Sequence, residues 1–223
     1  KIQHEFVEKF ASKKQSIFNY FDVSDKKWLS LPININKTFE TIFLDNTIKS
    51  KIINDIDNFV VNKKEYERLG LPRKLGYLLY GTPGNGKSSM IYAIAKKYNK
   101  SIFKINLSVS KSDFMKQVCT IQQGSIVIFE DIDTCQISHD RNHNIIYESQ
   151  NNNENNLSKI DLKLNQLQLG DILEILDGYC YLNECIVIMT TNYIEKLDNA
   201  LIRSGRVDHK INFSNVSNSQ IQQ

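Results

Sequence analysis

Residues Gly76–Ser89 read GYLLYGTPGNGKSS, and the rest of the chain is organised around them. Within this stretch, Gly81–Ser88 fits the phosphate-binding pattern G-x-x-x-x-G-K-[ST] at every fixed position. The apolar run Tyr77–Tyr80 before it predicts a strand, and apolar residues recur after it with helical spacing, at Ile91, Ile94, Ala95 and Tyr98. The pattern therefore stands between a strand and a helix that Lys87 opens.

This loop has the residue types that phosphate binding needs. Gly84 and Gly86 let the backbone curl so that its N–H groups point at phosphate oxygens, and the helix N-terminus adds partial positive charge. Lys87 is placed for the β- and γ-phosphates, and the Ser88 hydroxyl for Mg²⁺. A chance glycine-rich turn is the alternative, but the strand, loop and helix are in register. We therefore predict that a nucleoside triphosphate binds at Gly81, Thr82, Pro83, Gly84, Asn85, Gly86, Lys87, Ser88 and Ser89.

Composition limits the class of protein. At 223 residues, with 41% hydrophobic and 24% charged residues, the chain is long enough for one large or two small soluble domains. A net charge of +3 is too mild to argue for nucleic acid. The four cysteines, Cys119, Cys135, Cys180 and Cys185, form no C-x-x-C pair and have no His at zinc-ligand spacing. This pattern predicts a reduced, intracellular protein.

Membrane and targeting signals are not evident in the sequence. No apolar run approaches the ~20 residues that cross a bilayer. Residues Lys1–Phe10 do not form a signal peptide, because Gln3, His4, Glu5 and Glu8 interrupt any apolar core. The chain reads as an excerpt, so we expect a membrane anchor only in sequence outside it.

Residues 1–40 are predicted to connect the chain to an absent N-terminal domain. Ile2, Phe6 and Phe10 share one helical face, Ser16–Phe21 reads as a strand, and Trp28–Ile35 as a return strand that Pro32 weakens. Together they suggest a helix followed by a hairpin.

From residue 41 to about 215 the pattern predicts an α/β core. An amphipathic helix capped by Asp45 or Asn46 precedes the loop, and apolar strands at 102–107, 125–129 and 185–189 alternate with helical patterns. This alternation predicts a doubly wound, mostly parallel sheet. A polar, Asn-rich segment at about 136–160 is predicted to be an insertion, since it has too little apolar area to bury.

Carboxylates follow the second of these strands. Glu130 and Asp131 come directly after Ile126–Phe129, at the end of the strand where α/β proteins place ligands. One carboxylate there can hold Mg²⁺, and its neighbour can polarise an attacking water. A solvated acidic turn is the alternative, and the phosphate-binding loop makes it the weaker one.

Three further polar residues are candidates. Asn192 follows an apolar strand, where it can orient a water beside the γ-phosphate, although Asn is common in any turn that ends a strand. Arg203 and Arg206 flank a Ser-Gly turn, from which they can reach a phosphate on a neighbouring subunit. Taken alone, such arginines are more often surface ion-pair partners.

The loop, the acidic strand, T-T-N and L-D-x-A-L-x-R-x-G-R-x-D occur here in the order and spacing of the AAA family of ATPases, which residues 40 to 215 resemble. The stretches GYLLYGTPGNGKSS, EDID, LDG and ALIRSGRVD are most similar to one branch of that family. This branch contains the mitochondrial inner-membrane chaperone that translocates the folded Rieske iron–sulfur protein. The resemblance implies a P-loop NTPase core and a helical lid, of which residues 216–223 would be the truncated start.

The resemblance also implies roles for single residues. Lys87 and Ser88 would hold phosphate and Mg²⁺. Glu130 stands where most members have the Mg²⁺-associated Asp, and Asp131 where they have the catalytic Glu, an inversion that the mitochondrial branch shares. Asn192 matches the sensor-1 position, and Arg203 and Arg206 would be the arginine fingers that act in trans. The aromatic pore loop of threading unfoldases has no clear counterpart in Ser108–Gln123.

These observations favour a motor or chaperone that binds ATP and Mg²⁺, forms a homo-oligomeric ring of six or seven subunits, hydrolyses ATP and acts on a protein substrate. One alternative is a nucleotide-dependent scaffold with little hydrolysis, against which the full set of catalytic residues argues. Another is a motor linked to nucleic acid, against which the near-neutral charge and the lack of an aromatic-basic cluster argue.

Overall fold

The computed structural model of the chain describes residues 16–70, 73–134, 166–177 and 181–213. Three predictions lie outside these ranges. They are the helical face at Ile2, Phe6 and Phe10, the Asn-rich insertion at about 136–160 and the lid segment at 216–223.

The described residues form one seven-stranded sheet in the order β2-β1-β4-β5-β6-β3-β7. Only β1 and β2 pair antiparallel, and every other neighbouring pair is parallel, which confirms the predicted α/β class. The strands are β1 (Ile17–Asp22), β2 (Lys27–Pro32), β3 (Leu75–Tyr80), β4 (Ile102–Lys104), β5 (Ile126–Phe129), β6 (Ile186–Thr191) and β7 (His209–Asn212).

Helices cover both faces of this sheet, as expected for a doubly wound fold. The described helices are α1 (Asn46–Val61), α2 (Lys63–Leu69), α3 (Lys87–Tyr98), α4 (Lys111–Cys119) and α5 (Leu169–Asp177). Asp45 caps α1 as predicted, because its side chain accepts a hydrogen bond from the Thr47 N–H at 2.7 Å.

Two apolar cores follow from alternation along the strands. In β3, Tyr77 and Leu79 pack with α1 and α3 on one face, whereas Leu78 packs with α4 and α5 on the other. Leu78 is fully buried, as are Ile126 and Val127 of β5. The short apolar runs of the sequence are therefore strands buried on both faces.

The hairpin β1–β2 belongs to this sheet, a difference from the expected connector. Phe18 of β1 pairs in parallel register with Ile102 of β4. The Trp28 ring meets Phe103 edge-on, with 5.0 Å between the ring centroids. Pro32 ends β2 at the outer edge of the sheet, where the missing N–H of proline is tolerated.

Candidate nucleotide site

The phosphate-binding loop joins β3 to α3. Gly86 caps α3 with φ of 93°, and a Cβ at Gly84 or Gly86 would meet no heavy atom within 4 Å, so the space above the loop is open. At Gly81, by contrast, there is no room for a side chain, because a Cβ there would stand 2.4 Å from the Phe213 carbonyl oxygen. The Asn85 side chain donates to the same carbonyl at 3.1 Å. The loop is thus anchored to the end of β7 and open toward a ligand.

Lys87 lies in the concave side of this loop with only 7% of its surface exposed. Its Nζ donates to the carbonyl oxygens of Gly81 at 2.7 Å and Thr82 at 3.0 Å, and to Asn192 Oδ1 at 2.8 Å. Burial lowers the pKa of Lys87, while the nearby carboxylates of Asp131 and Asp133 oppose that shift. The ammonium group is desolvated and bound only by uncharged oxygens, so the negative charge of a phosphate would attract it more strongly than its present partners do.

Ser88 and Glu130 stand together at the first turn of α3, with 3.5 Å between Ser88 Oγ and Glu130 Oε1. The other carboxylate oxygen of Glu130 pairs with Lys104 Nζ at 2.6 Å. A hydroxyl and a carboxylate suit Mg²⁺, which takes one or two protein oxygens and completes its shell with water and phosphate. In the described ranges no group of three or more His, Cys, Asp or Glu side chains could hold a metal ion, so the fit is to this open type of site.

Asp131 is adjacent in sequence but meets different neighbours. Its backbone is left-handed, with φ of 47°, and its N–H donates to Thr190 Oγ1 at 3.0 Å. Its carboxylate accepts from Asn192 Nδ2 at 3.4 Å. The ends of β5 and β6 therefore bring Asp131 and Asn192 to the same place as Lys87.

Sequence reasoning missed Asp133, which is only 5% exposed. Its Oδ1 accepts from the Thr191 hydroxyl at 2.7 Å and from the Asn192 N–H at 3.1 Å. A signal was present, because E-D-I-D and T-T-N both end apolar strands, and parallel neighbours bring such ends together. Lys104 was missed as well, since it lies one strand away from the carboxylate that it pairs with.

Arg203 and Arg206 are not part of this cluster. A Cβ on Gly76 would stand 2.3 Å from the Arg206 carbonyl oxygen, so the turn lies beside the first half of β3. The phosphate-binding loop begins at Gly81, five residues along the same strand, which is about 16 Å away. The backbone of the arginine turn therefore lies toward the opposite end of β3 from the loop.

The two arginines also differ from each other. Arg203 is exposed, and within the described part of the chain its side chain has no hydrogen-bond or ion-pair partner, although its carbonyl oxygen accepts from the Arg206 N–H at 3.1 Å. Arg206 Nε donates to Asp177 Oδ1 at 2.7 Å, while its two terminal nitrogens bind Asp177 Oδ2 and the Ala200 carbonyl. The Asp177 carboxylate raises the pKa of Arg206. Arg206 is thus bound within its own chain.

The family model of the ATPase family associated with various cellular activities (AAA) matches residues 77–215, a range that includes every site residue described above. The chain belongs to the AAA family. This AAA chain is 42% identical over 191 residues to the probable mitochondrial chaperone BCS1-A of Dictyostelium discoideum, with 84% of this chain and 42% of that protein covered. It is 35% identical over 203 residues to BCS1-B of the same organism, with 84% and 44% covered.

A plant AAA protein is similar over more of the chain. An AAA-ATPase of Arabidopsis thaliana is 37% identical over 218 residues, which cover 93% of this chain and 45% of that protein. The chain thus spans about two fifths of the length of the curated relatives it matches. The predicted family and its mitochondrial chaperone branch are confirmed. Among the described helices, none combines the length and apolar character needed to cross a bilayer.

Proposed function

We propose that this AAA chain binds Mg²⁺·ATP in the loop Gly81–Ser89 and hydrolyses it to drive work on a protein substrate. One observation carries the proposal. The side chains of Lys87, Ser88, Glu130, Asp131 and Asn192 converge at the carboxyl end of three neighbouring strands, beside an open helix N-terminus. That is the set of groups that phosphoryl transfer to water requires.

Each side chain has a separate task in this mechanism. Lys87 exchanges the carbonyl oxygens of its own loop for the β- and γ-phosphates. Ser88 and Glu130 would hold Mg²⁺, and the ion when bound neutralises phosphate charge. Asp131 accepts a hydrogen bond from the attacking water and polarises it, while the Asn192 amide fixes the position of that water. The carboxylate and the amide are in direct contact at 3.4 Å, so one water placed beside this pair can touch both groups.

The active unit is a homo-oligomeric ring of six or seven copies. Arg203 supplies the finger for the γ-phosphate of a neighbour, since it is exposed and lies away from its own loop. Arg206 supports the turn from inside its own chain through Asp177. Similarity to proteins named as mitochondrial chaperones supports a protein substrate.

Two variants test the ATPase proposal. Lys87→Ala removes the phosphate-binding cation, so ATP affinity measured by calorimetry should fall at least about tenfold. Asp131→Asn keeps the loop, so ATP should bind with unchanged affinity while phosphate release falls at least about 100-fold. Unchanged ATP binding in Lys87→Ala would refute the assignment of the loop. Normal phosphate release by Asp131→Asn would refute the role of that carboxylate.

A further inference from the structure

Asp133 has no part in the mechanism above, yet it is one of the most buried carboxylates at the site. It lies in the short turn Ile132–Thr134 after β5 and is 5% exposed. Burial of a carboxylate is costly unless hydrogen bonds compensate for the lost water. The hydrogen-bond partners of Asp133 therefore indicate its role.

Two partners of Asp133 belong to the end of β6. Asp133 Oδ1 accepts from the Thr191 hydroxyl at 2.7 Å and from the Asn192 N–H at 3.1 Å. The Thr191 hydroxyl in turn accepts from the Tyr193 N–H at 3.0 Å. One carboxylate oxygen thus holds the Asn192 backbone directly and the Tyr193 backbone through the Thr191 hydroxyl, just where the chain leaves the strand.

The Asn192 side chain starts from this fixed backbone. Its Oδ1 accepts from Lys87 Nζ at 2.8 Å, and its Nδ2 donates to Asp131 at 3.4 Å. The same strand end holds Asp131 directly, because Thr190 Oγ1 accepts from the Asp131 N–H at 3.0 Å. Asn192 would orient the water and Asp131 would polarise it. Their relative position is therefore held by Asp133 and by the hydroxyls of Thr190 and Thr191.

We propose that Asp133 is a positioning residue that sets the place of Asn192 relative to Asp131, and so controls turnover without binding nucleotide. The proposal rests on the ATPase function proposed above. A carboxylate suits this task because one charged oxygen holds both donors, and hydrogen bonds to a charged acceptor are roughly twice as strong as those to the neutral amide oxygen of an asparagine. Small displacements matter here, since misplacement by about 1 Å can cost about 100-fold in rate.

Asp133→Asn is the central variant, because it keeps the size of the side chain and changes only its charge and donor pattern. We expect the ATP dissociation constant to stay within about twofold and kcat to fall at least about tenfold. Thr191→Val, which removes one of the two donors, should lower kcat by a smaller factor. Asp113→Asn, a change at another buried carboxylate that lies on α4, should leave both quantities unchanged.

A double-mutant cycle separates positioning from general damage to the fold. If Asp133 acts through Asn192, then adding Asp133→Asn to Asn192→Ala should lower kcat by less than about twofold. An equal loss of kcat in both backgrounds would overturn the inference, as would loss of ATP binding in folded Asp133→Asn. If Asp133→Asn does not fold, Thr191→Val carries the same cycle.

The outcomes also separate this inference from the function on which it rests. Wild-type protein that releases no phosphate from ATP would overturn the proposed function together with the inference. Wild-type protein that hydrolyses ATP, combined with full kcat in Asp133→Asn and Thr191→Val, would overturn the inference alone.

Discussion

Two adjacent carboxylates, Glu130 and Asp131, serve different neighbours at the end of β5. Glu130 faces Ser88 and Lys104, whereas Asp131 faces Asn192 and is turned by its left-handed backbone. A chain that reverses the usual order of the two acids can still offer one carboxylate to a metal ion and the other to water. The proposed roles, Glu130 for Mg²⁺ and Asp131 for water, therefore rest on these contacts rather than on the order of the two acids in the sequence.

Lys104 should compete with Mg²⁺ for Glu130, since its Nζ lies 2.6 Å from the carboxylate. In Lys104→Met the carboxylate is free for the ion, so the Mg²⁺ concentration for half-maximal nucleotide binding should fall about two- to fivefold, the range expected for a partly exposed ion pair. Titration of Mg²⁺ against a fluorescent ATP analogue measures this. Lys97→Met removes an exposed charge at the end of α3 and is the control. An unchanged or higher Mg²⁺ midpoint in Lys104→Met would contradict competition between Lys104 and Mg²⁺ for Glu130.

Among single residues, the sequence predicts those of the phosphate-binding loop better than the residues that contact the loop from other strands. Lys87 and Ser88 stand at fixed positions in a contiguous pattern, so their neighbours are set by the chain itself. Asp133 and Lys104 act across strands, on residues about 60 and 26 positions away. Such pairs depend on strand order and register, which periodicity does not provide.

Single elements are joined by a few polar contacts, and the pair Asp177–Arg206 joins α5 to the arginine turn. Loss of this bidentate contact in Asp177→Asn should lower the free energy of unfolding by about 1–2 kcal/mol. Chemical denaturation measures this. Glu174→Gln, an exposed change one turn earlier on α5, is the control, and equal stability of both variants would contradict a structural role for Arg206.

The same pair predicts a dependence on pH. The hydrogen bond from Arg206 lowers the pKa of Asp177 below its usual value, so the folded state binds this proton less readily than the unfolded chain. Its contribution to stability is present above the unfolded pKa of about 4 and is lost as the pH falls through the lower folded value. The difference in stability between the wild type and Asp177→Asn should therefore shrink below pH of about 4.

The hairpin β1–β2 gives a second test at the scale of elements. Trp28 meets Phe21 and Phe103 edge-on and donates to Thr120 Oγ1 at 2.9 Å. Trp28→Ala should cost about 2–3 kcal/mol in unfolding free energy, because a large ring is lost from a packed site. Thr120→Val removes only the hydrogen bond and should cost about 1 kcal/mol. A cost for Trp28→Ala no larger than that of Thr120→Val would mean that the hairpin is not docked on the sheet.

The hairpin also shows where sequence reasoning about elements stops. The composition predicts its two strands and that they form a hairpin. Its place beside β4 is not predicted, since Ser16–Phe21 pairs with residues more than 80 positions away. A short strand of mixed apolar and polar residues carries no pattern that identifies its partner.

For the whole molecule, the sheet separates the nucleotide loop from the arginine turn. The loop follows the carboxyl end of β3, and the turn lies beside its first residues. A single copy therefore holds the backbone of the arginine turn away from its own nucleotide loop. This separation is what makes a ring of copies the working unit in the proposed mechanism.

Mixing two inactive variants tests this account most directly. Arg203→Ala keeps the loop without the finger, and Lys87→Ala keeps the finger without the loop, so each alone should release little phosphate. Equal amounts mixed into common rings should recover activity, because about a quarter of the interfaces then pair an intact loop with an intact finger, each partner being the right variant half of the time. Phosphate release clearly above the sum of the two variants is the predicted result. Mixed rings, verified by tagged subunits, that release no more than that sum would contradict a site shared between neighbouring copies.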